Sequence, residues 1–226
     1  MIKYYDEVIQ GSDEWHSLRC GLLTASEMKL IITPTLKIAS NDKERAHMYE
    51  LLAQRVTGYV EPSYVNDDML RGQTDEVYAR MEYSKSYAEV TDAGFVTNDK
   101  FGFKIGCSPD GLVGDDGMIE CKSRRQKYQI ETILSGEMPD DYLIQVQTSL
   151  LVTERSWCDF ISYCGGLPMF TLRIFPDAEV QQAIVAAATS FEEKIASKID
   201  LYASKLSDAT SRLIPTERKV YEEIVV

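Results

Sequence analysis

Cys107-Ser108-Pro109-Asp110-Gly111, followed after a glycine-bracketed turn by Met118-Ile119-Glu120-Cys121-Lys122, is the stretch on which the reading of this chain depends. The intervening Gly114-Asp115-Asp116-Gly117 separates two strand-like runs and predicts a hairpin. Side chains alternate along a strand, so Glu120 and Lys122 share one face while Cys121 points into the core, its carbonyl staying near the Glu120 face. Turn length decides where Asp110 falls. An odd loop centred on Asp115 sets Asp110 opposite Glu120, whereas a two-residue turn at Asp116-Gly117 sends the two carboxylates to opposite faces. The glycines allow the left-handed residue that odd loops usually need, and the alternatives stay open at this level.

With the odd register, two carboxylates and a carbonyl form a set of hard oxygen donors suited to Mg²⁺ that keeps several waters. An ammonium beside them would hold an attacking water or stabilise charge on a phosphate. A nearby metal would depress its pKa toward a general-base role. The competing reading of Glu-x-Lys is a surface hairpin with an ordinary cross-face ion pair. The run Lys122-Ser123-Arg124-Arg125-Gln126-Lys127 adds a basic cluster directly after the strand, where phosphates would lie, and Arg124, Arg125 and Lys127 are candidate DNA contacts.

Composition pulls the other way. Twenty-four Lys and Arg against 36 Asp and Glu leave a net charge of −12 over 226 residues, which argues against sequence-independent coating of nucleic acid by the whole surface. A local basic patch suffices for a site. The five cysteines are odd in number and form no CxxC pair, which argues against a disulfide framework, a zinc knuckle or an iron–sulfur cluster. No apolar run has the length of a membrane span, and the N-terminus carries no secretory pattern, so the default expectation is no membrane association and a cytoplasmic setting.

No repeat or composition shift divides the chain, and one domain over 1–226 is expected. Ser12 or Asp13 caps a short helix over 14–19 ended by Gly21. Thr24-x-x-Glu27 has capping-box spacing and predicts a helix through about residue 32. A loop follows over 32–40, then helices over 41–57, stopped by Gly58, and 66–84. Strands are expected over 91–97, 101–108, around the Gly114–Gly117 turn, and over 157–163 and 169–174. Further helices run from Asp140 or Asp141 to about Val152, and from Pro176-Asp177 to about Leu206. The last twenty or so residues read as weakly organised. This order implies an α/β core, a mixed sheet flanked by helices.

Pro109-Asp110 with Glu120-Cys121-Lys122 resembles the PD-(D/E)XK nuclease pattern, and Gly72-x-x-x-Glu76 resembles the extra acidic motif of its RecB-like branch. The run from Trp15-His16-Ser17-Leu18-Arg19 through Thr24-Ala25-Ser26-Glu27 is similar to the opening of the phage lambda exonuclease group, the YqaJ-like viral recombinases. Gln145-Val146-Gln147 agrees, so the motifs span more than half of the chain. The resemblance implies a restriction-endonuclease-like mixed central sheet flanked by helices. It makes Asp110, Glu120 and the Cys121 carbonyl metal ligands, with Glu76 supporting a second metal or its waters. Lys122 would orient or deprotonate the attacking water, and Gln147 would position water or ligand.

Arg19 and Ser26 would hold a DNA 5′-phosphate. The residues agree independently, since a helix start favours anions and arginine offers a forked partner. Met69 falls where the lambda-type enzyme has an apolar residue near the duplex end, although its spacing with Val77 and Met81 also fits core. His16 and His47 have no partner pattern and read as structural.

The implied activity is a Mg²⁺-dependent exonuclease, with Mn²⁺ as substitute. It would remove the 5′-ended strand of linear duplex DNA and leave a 3′ overhang. A homotrimeric ring, a phage single-strand annealing protein as partner, and a phage or prophage origin in the bacterial cytoplasm go with it. Alternatives are another PD-(D/E)XK endonuclease or resection nuclease, and a non-catalytic DNA-end-binding protein. Two features depart from the pattern: Asp67, Asp68 and Asp75 make a DNA-facing helix unusually acidic, and no Tyr stands four residues after Gln147.

Overall fold

A computed structural model describes residues 1–62, 66–208 and 210–218. In chain order its elements are β1 (Ile2–Tyr5), α1 (Asp13–Arg19), β2 (Leu23–Thr24), α2 (Asp42–Thr57), α3 (Asp67–Ser86), β3 (Phe95–Asn98), β4 (Ile105–Cys107) and β5 (Gly111–Val113). Then come β6 (Gly117–Ser123), α4 (Gln126–Ser135), α5 (Leu143–Thr153), β7 (Trp157–Tyr163), β8 (Phe170–Ile174) and α6 (Ala178–Ser207). Cap chemistry sets most helix ends. Ser12, Asn41, Asn66 and Asp177 each accept a backbone N–H at the start of α1, α2, α3 and α6. Gly58 stops α2 in the left-handed conformation at φ 63°.

Three elements differ from the expectation. Thr24 ends strand β2, and the turn after it is a single 3-10 turn, Met28–Leu30, instead of a helix to residue 32. The Thr24 hydroxyl donates to the Glu27 carboxylate at 2.8 Å, so the two residues pair side chain to side chain and the reciprocal backbone contacts of a capping box do not form. Strand β1 and helix α4 were not anticipated. Helix α4 starts at Arg125, which makes no side-chain cap bond, inside a basic run that carries no start signal.

The strands form two four-stranded mixed sheets, ordered β1-β3-β4-β2 and β5-β6-β7-β8, flanked by helices. An isolated bridge, Thr91 to Leu112, links the segment before β3 to β5. In the second sheet β6 and β7 run parallel through seven aligned pairs, from Gly117–Trp157 to Ser123–Tyr163. Parallel neighbours need a crossover, supplied here by α4 and α5.

Helices α3 and α5 cover opposite faces of this sheet. Met118, Cys158 and Phe160 pack with Val146 and Leu150 of α5, while Ile119, Cys121 and Ile161 pack with Ala79 and Tyr83 of α3. Even-numbered β6 residues therefore look toward α5 and odd-numbered ones toward α3. Each fully buried Leu, Ile or Phe in these layers contributes about 1.5–3 kcal/mol, which holds the alternation in register. Among the described residues no helix is long and apolar enough to cross a membrane.

Candidate active site

The hairpin takes the odd register. Gly111 pairs with Ile119, Leu112 with Met118 and Val113 with Gly117, so the three-residue loop centres on Asp115. Gly114 adopts φ 53°, the left-handed residue that such a loop needs. Continued by one position, this register sets Asp110 opposite Glu120. Asp110 Oδ2 accepts the backbone N–H of Cys121 at 2.6 Å, pinning the carboxylate across the strand pair.

Glu120 is 1% exposed. Its Oε1 accepts Lys122 Nζ at 2.5 Å and Gln145 Nε2 at 2.6 Å. Its Oε2 is buried without a hydrogen-bond partner. An unmet anionic oxygen in a low-dielectric site is costly unless a cation or donor reaches it.

Burial pushes the Asp110 carboxyl well above the ordinary range, and the charges of Glu120 and Glu76 add to the rise. Burial also raises Glu76, opposed by Arg80 and reinforced by Glu120. For Lys122, burial favours the neutral amine, but Glu120 and Asp110 together outweigh it and keep the ammonium charged above its usual range. The side chain stands 5.5 Å from the Tyr142 ring centroid, a second favourable surface for the charge.

Asp110, Glu120 and Lys122 line one cavity of about 370 Å³ together with Glu76 and Gly72 of α3, Gln145 of α5, and Arg19 and Ser26. Gly72 presents no side chain, and a Cβ there would meet open space. Burial lowers the Arg19 pKa, and the guanidinium lies 4.2 Å from the Trp15 ring centroid while donating to Thr24 Oγ1 at 3.2 Å. Trp15 Nε1 in turn donates to Ser108 Oγ at 2.9 Å. Ser26 Oγ lies 3.3 Å from Thr24 Oγ1.

The donors suit a hard divalent cation: carboxylates of Asp110, Glu120 and Glu76, the Cys121 carbonyl, and an orphaned Glu120 oxygen to receive it. Among the described residues no three His, Cys, Asp or Glu side chains are gathered closely enough to hold a metal ion as they stand. A site with fewer protein oxygens would leave positions for water, as Mg²⁺ prefers.

The structure does not bring every predicted residue here. Gln147 is 1% exposed and turned away, donating to the Phe175 carbonyl and accepting the Asp177 N–H, both at 2.8 Å. It fastens the β8–α6 junction, and Gln145 takes the cavity position instead. Two residues apart on a helix, the two amides face different sides, so only one could serve.

Arg124 is half-buried, donating to the Tyr142 hydroxyl at 2.8 Å and lying 5.1 Å from the Tyr128 ring. Arg125 is exposed at the start of α4 and bonds both Asp68 oxygens. Lys127 is exposed over the Tyr128 ring. Met69 is 46% exposed in the first turn of α3. His47 stacks on Phe191, His16 meets Trp15 edge to face, and neither lines the cavity. Sequence reasoning missed Gln145 as the amide partner, as well as Trp15, Ser108 and Arg71. All but Arg71 lay in quoted motifs, but only the fold aims them.

The family model of the YqaJ-like viral recombinase domain matches residues 14–156. The chain belongs to that family. The match includes every cavity residue named above from Trp15 to Gln145.

An alkaline exonuclease from Laribacter hongkongensis is 34% identical, with a TM-score of 0.72 over 87% of this chain and 100% of its own. The same enzyme in complex with dAMP is 35% identical over the same shares, with a TM-score of 0.73. A phage-related exonuclease from Haemophilus somnus 129PT, 16% identical with a TM-score of 0.54 over 79% of this chain and 96% of its own, shares the fold. No curated protein sequence matches the chain.

Proposed function

We propose that this YqaJ-family chain is a divalent-metal-dependent exonuclease that removes the 5′-ended strand from ends of linear duplex DNA and leaves 3′ single-stranded overhangs. The observation that carries the reading is one cavity holding both an anion site, Arg19 with Ser26, and a hydrolytic set, Glu120 with Lys122. A terminal 5′-phosphate held at the first site sets the scissile phosphodiester near the second. A continuous strand offers no such terminus, so this arrangement favours an end-dependent enzyme over an endonuclease. About 370 Å³ is room for a mononucleotide, and the Laribacter relative is known with dAMP.

Asp110, Glu120, the Cys121 carbonyl and Glu76 would hold Mg²⁺ or Mn²⁺. Bound there, the ion would lower the pKa of water and polarise the phosphate. Gln145 and Lys122 hold the Glu120 carboxylate in place through Oε1, leaving Oε2 open. Lys122 Nζ orients the attacking water and stabilises charge on the phosphate oxygens. Water attacks phosphorus, the bond to the 3′ oxygen breaks, and the released nucleotide carries its 5′-phosphate. The shortened strand then begins with a new 5′-phosphate, which Arg19 and Ser26 can take in turn.

Family membership supports a homotrimeric ring, a phage single-strand annealing protein as partner, and phage or prophage origin in a bacterial cytoplasm. A ring would gather basic side chains inside and leave the acidic surface outside, accommodating the charge of −12.

Linear duplex labelled at the 5′ or the 3′ end, incubated with Mg²⁺ or EDTA beside Asp110→Ala and Lys122→Ala, tests the reading. The expected result is Mg²⁺-dependent loss of the 5′ label only, abolished by both substitutions, with closed circles intact. Intact linear duplex in Mg²⁺ and Mn²⁺ would leave end binding without catalysis as the better reading. Cut circles would keep the site and discard the exonuclease.

A further inference from the structure

At the mouth of the cavity, two arginines from separate elements converge on one carboxylate. Asp68, in the first turn of α3, accepts Arg71 Nη1 at 2.8 Å and Arg125 Nη2 at 2.9 and 3.1 Å. Arg71 Nε also donates to Ser123 Oγ at 3.2 Å, and Ser123 directly follows Lys122 on β6. The fork is therefore anchored one residue from the hydrolytic lysine, and Asp68 lines the same cavity. Two guanidinium groups meeting on one set of anionic oxygens is the geometry that recognises phosphate. Both arginines hold the Asp68 carboxyl below its ordinary range. Asp68 is also solvent-accessible, so its contacts are exposed pairs that an incoming anion can exchange.

We propose that Arg71 and Arg125 form a binding site for a backbone phosphate of DNA seated in the cavity, and that Asp68 occupies this site as an intramolecular phosphate mimic until DNA displaces it. The proposal rests on the nuclease reading above. Phosphate exchanges for carboxylate on the same donors, so the chain binds DNA more weakly than its cations allow. Release after each cut is correspondingly easier, and nucleic acid without an end to engage Arg19 and Ser26 is discouraged.

The test is a fluorescence-anisotropy titration of a 5′-phosphorylated duplex. It is run with Mg²⁺ in a Lys122→Ala background so that the DNA is not consumed, beside wild-type cleavage of the same duplex. Adding Asp68→Asn, or Asp68→Ser to keep a good helix-start residue, should tighten binding roughly two- to fivefold, the scale of an exposed ion pair. It should also steepen the salt dependence by about 0.9 per phosphate contact recruited. A further Arg125→Ala should cancel the gain.

Unchanged or weaker binding by both Asp68 variants, with circular dichroism like the parent, overturns the proposal. So does a gain that survives Arg125→Ala. If the wild type cuts and these arms fail, only this inference falls. If the wild type neither binds nor cuts linear duplex, the nuclease reading falls and takes the inference with it.

Discussion

Glu120 joins two elements at the centre of the site. It meets Lys122 and Gln145 through one oxygen and keeps the other without a partner inside the protein. Glu120→Gln should lower kcat/KM by about 10³-fold or more, the scale for losing a transition-state electrostatic contact, while melting changes little. The two glutamines of α5 separate by readout. Gln145→Ala should cost roughly 10–100-fold in activity, as for a partner that orients a ligand, with Tm nearly unchanged. Gln147→Ala should cost roughly 2 kcal/mol or more in stability, because the Phe175 carbonyl and the Asp177 N–H lose their partner, with kcat/KM nearly unchanged in the folded fraction. Parallel denaturation and initial-rate measurements check both.

Tyr83 offers a pH test away from the cavity. Burial and its 2.6 Å hydrogen bond to Asp159 raise its pKa above the ordinary 10.0. The folded chain keeps this proton where the unfolded chain has released it. The contribution is thus complete below about pH 10 and is lost as pH rises above it. Thermal melts should fall between about pH 9.5 and 11 more steeply for the wild type than for Tyr83→Phe, which itself loses about 1 kcal/mol.

Among the elements, the β5–β6 hairpin decides whether there is a site at all. One residue of slip would send Asp110 to the opposite face from Glu120. Three contacts prevent it. Arg155 donates to the Gly114 carbonyl at 2.9 Å and the Gly117 carbonyl at 2.5 Å, gripping the turn at both ends. The Trp157 ring lies flush on Gly117, where an added Cβ would stand 2.0 Å from it. Gly117→Ala should therefore destabilise the fold by about 1–3 kcal/mol and reduce activity through the register as well. Chemical denaturation, with cleavage rates corrected for folded fraction, reads the two effects separately.

Helix α3 shows a similar division of labour along its length. Its C-terminal half buries Ala79 and Tyr83, while the half that carries Asp68, Gly72 and Glu76 makes polar contacts to Ser123 of β6 and to Arg125 before α4. The expected helix over 66–84 matches α3 to within two residues, because its helix-forming composition is a local signal, whereas Asn66 serves as its cap and not as its first residue. Motif reading could not recover α4, whose start carries no cap bond, or the single 3-10 turn at Met28, where strand pairing of Leu23 and Thr24 overrides the capping-box spacing.

For the molecule as a whole, a charge of −12 is compatible with the proposed DNA site because the basic groups at the cavity are few and concentrated. Arg19, Lys122, Arg71 and Arg125 form the cationic set at or beside the cavity, and the last two are masked by Asp68. Binding of 5′-phosphorylated duplex should then show a shallow salt dependence, a log–log slope of about −2 to −4, since each neutralised phosphate contributes about 0.9. A slope near −8 would mean that a far larger basic surface engages the duplex.

The sequence by itself determined the class of chemistry. Pro109-Asp110, Glu120-Cys121-Lys122 and Glu76 are side chains whose types and order carry the information, and period-two alternation puts Glu120 and Lys122 on one face whatever the rest of the chain does. Helix limits with caps or glycine stops were legible for the same reason, since they depend on neighbours within a few residues. Tertiary structure alone decided the rest. The odd register depended on Arg155, just before β7, and Trp157, at its start, and the choice of Gln145 over Gln147 depended on which side of α5 faces β6 and which faces α6. The conversion of Arg125 from a free cation to a partner of Asp68 depended on the residue that caps α4 reaching the first turn of α3. Each is a contact between residues far apart in sequence, and no local propensity or spacing encodes which partners the fold will bring together.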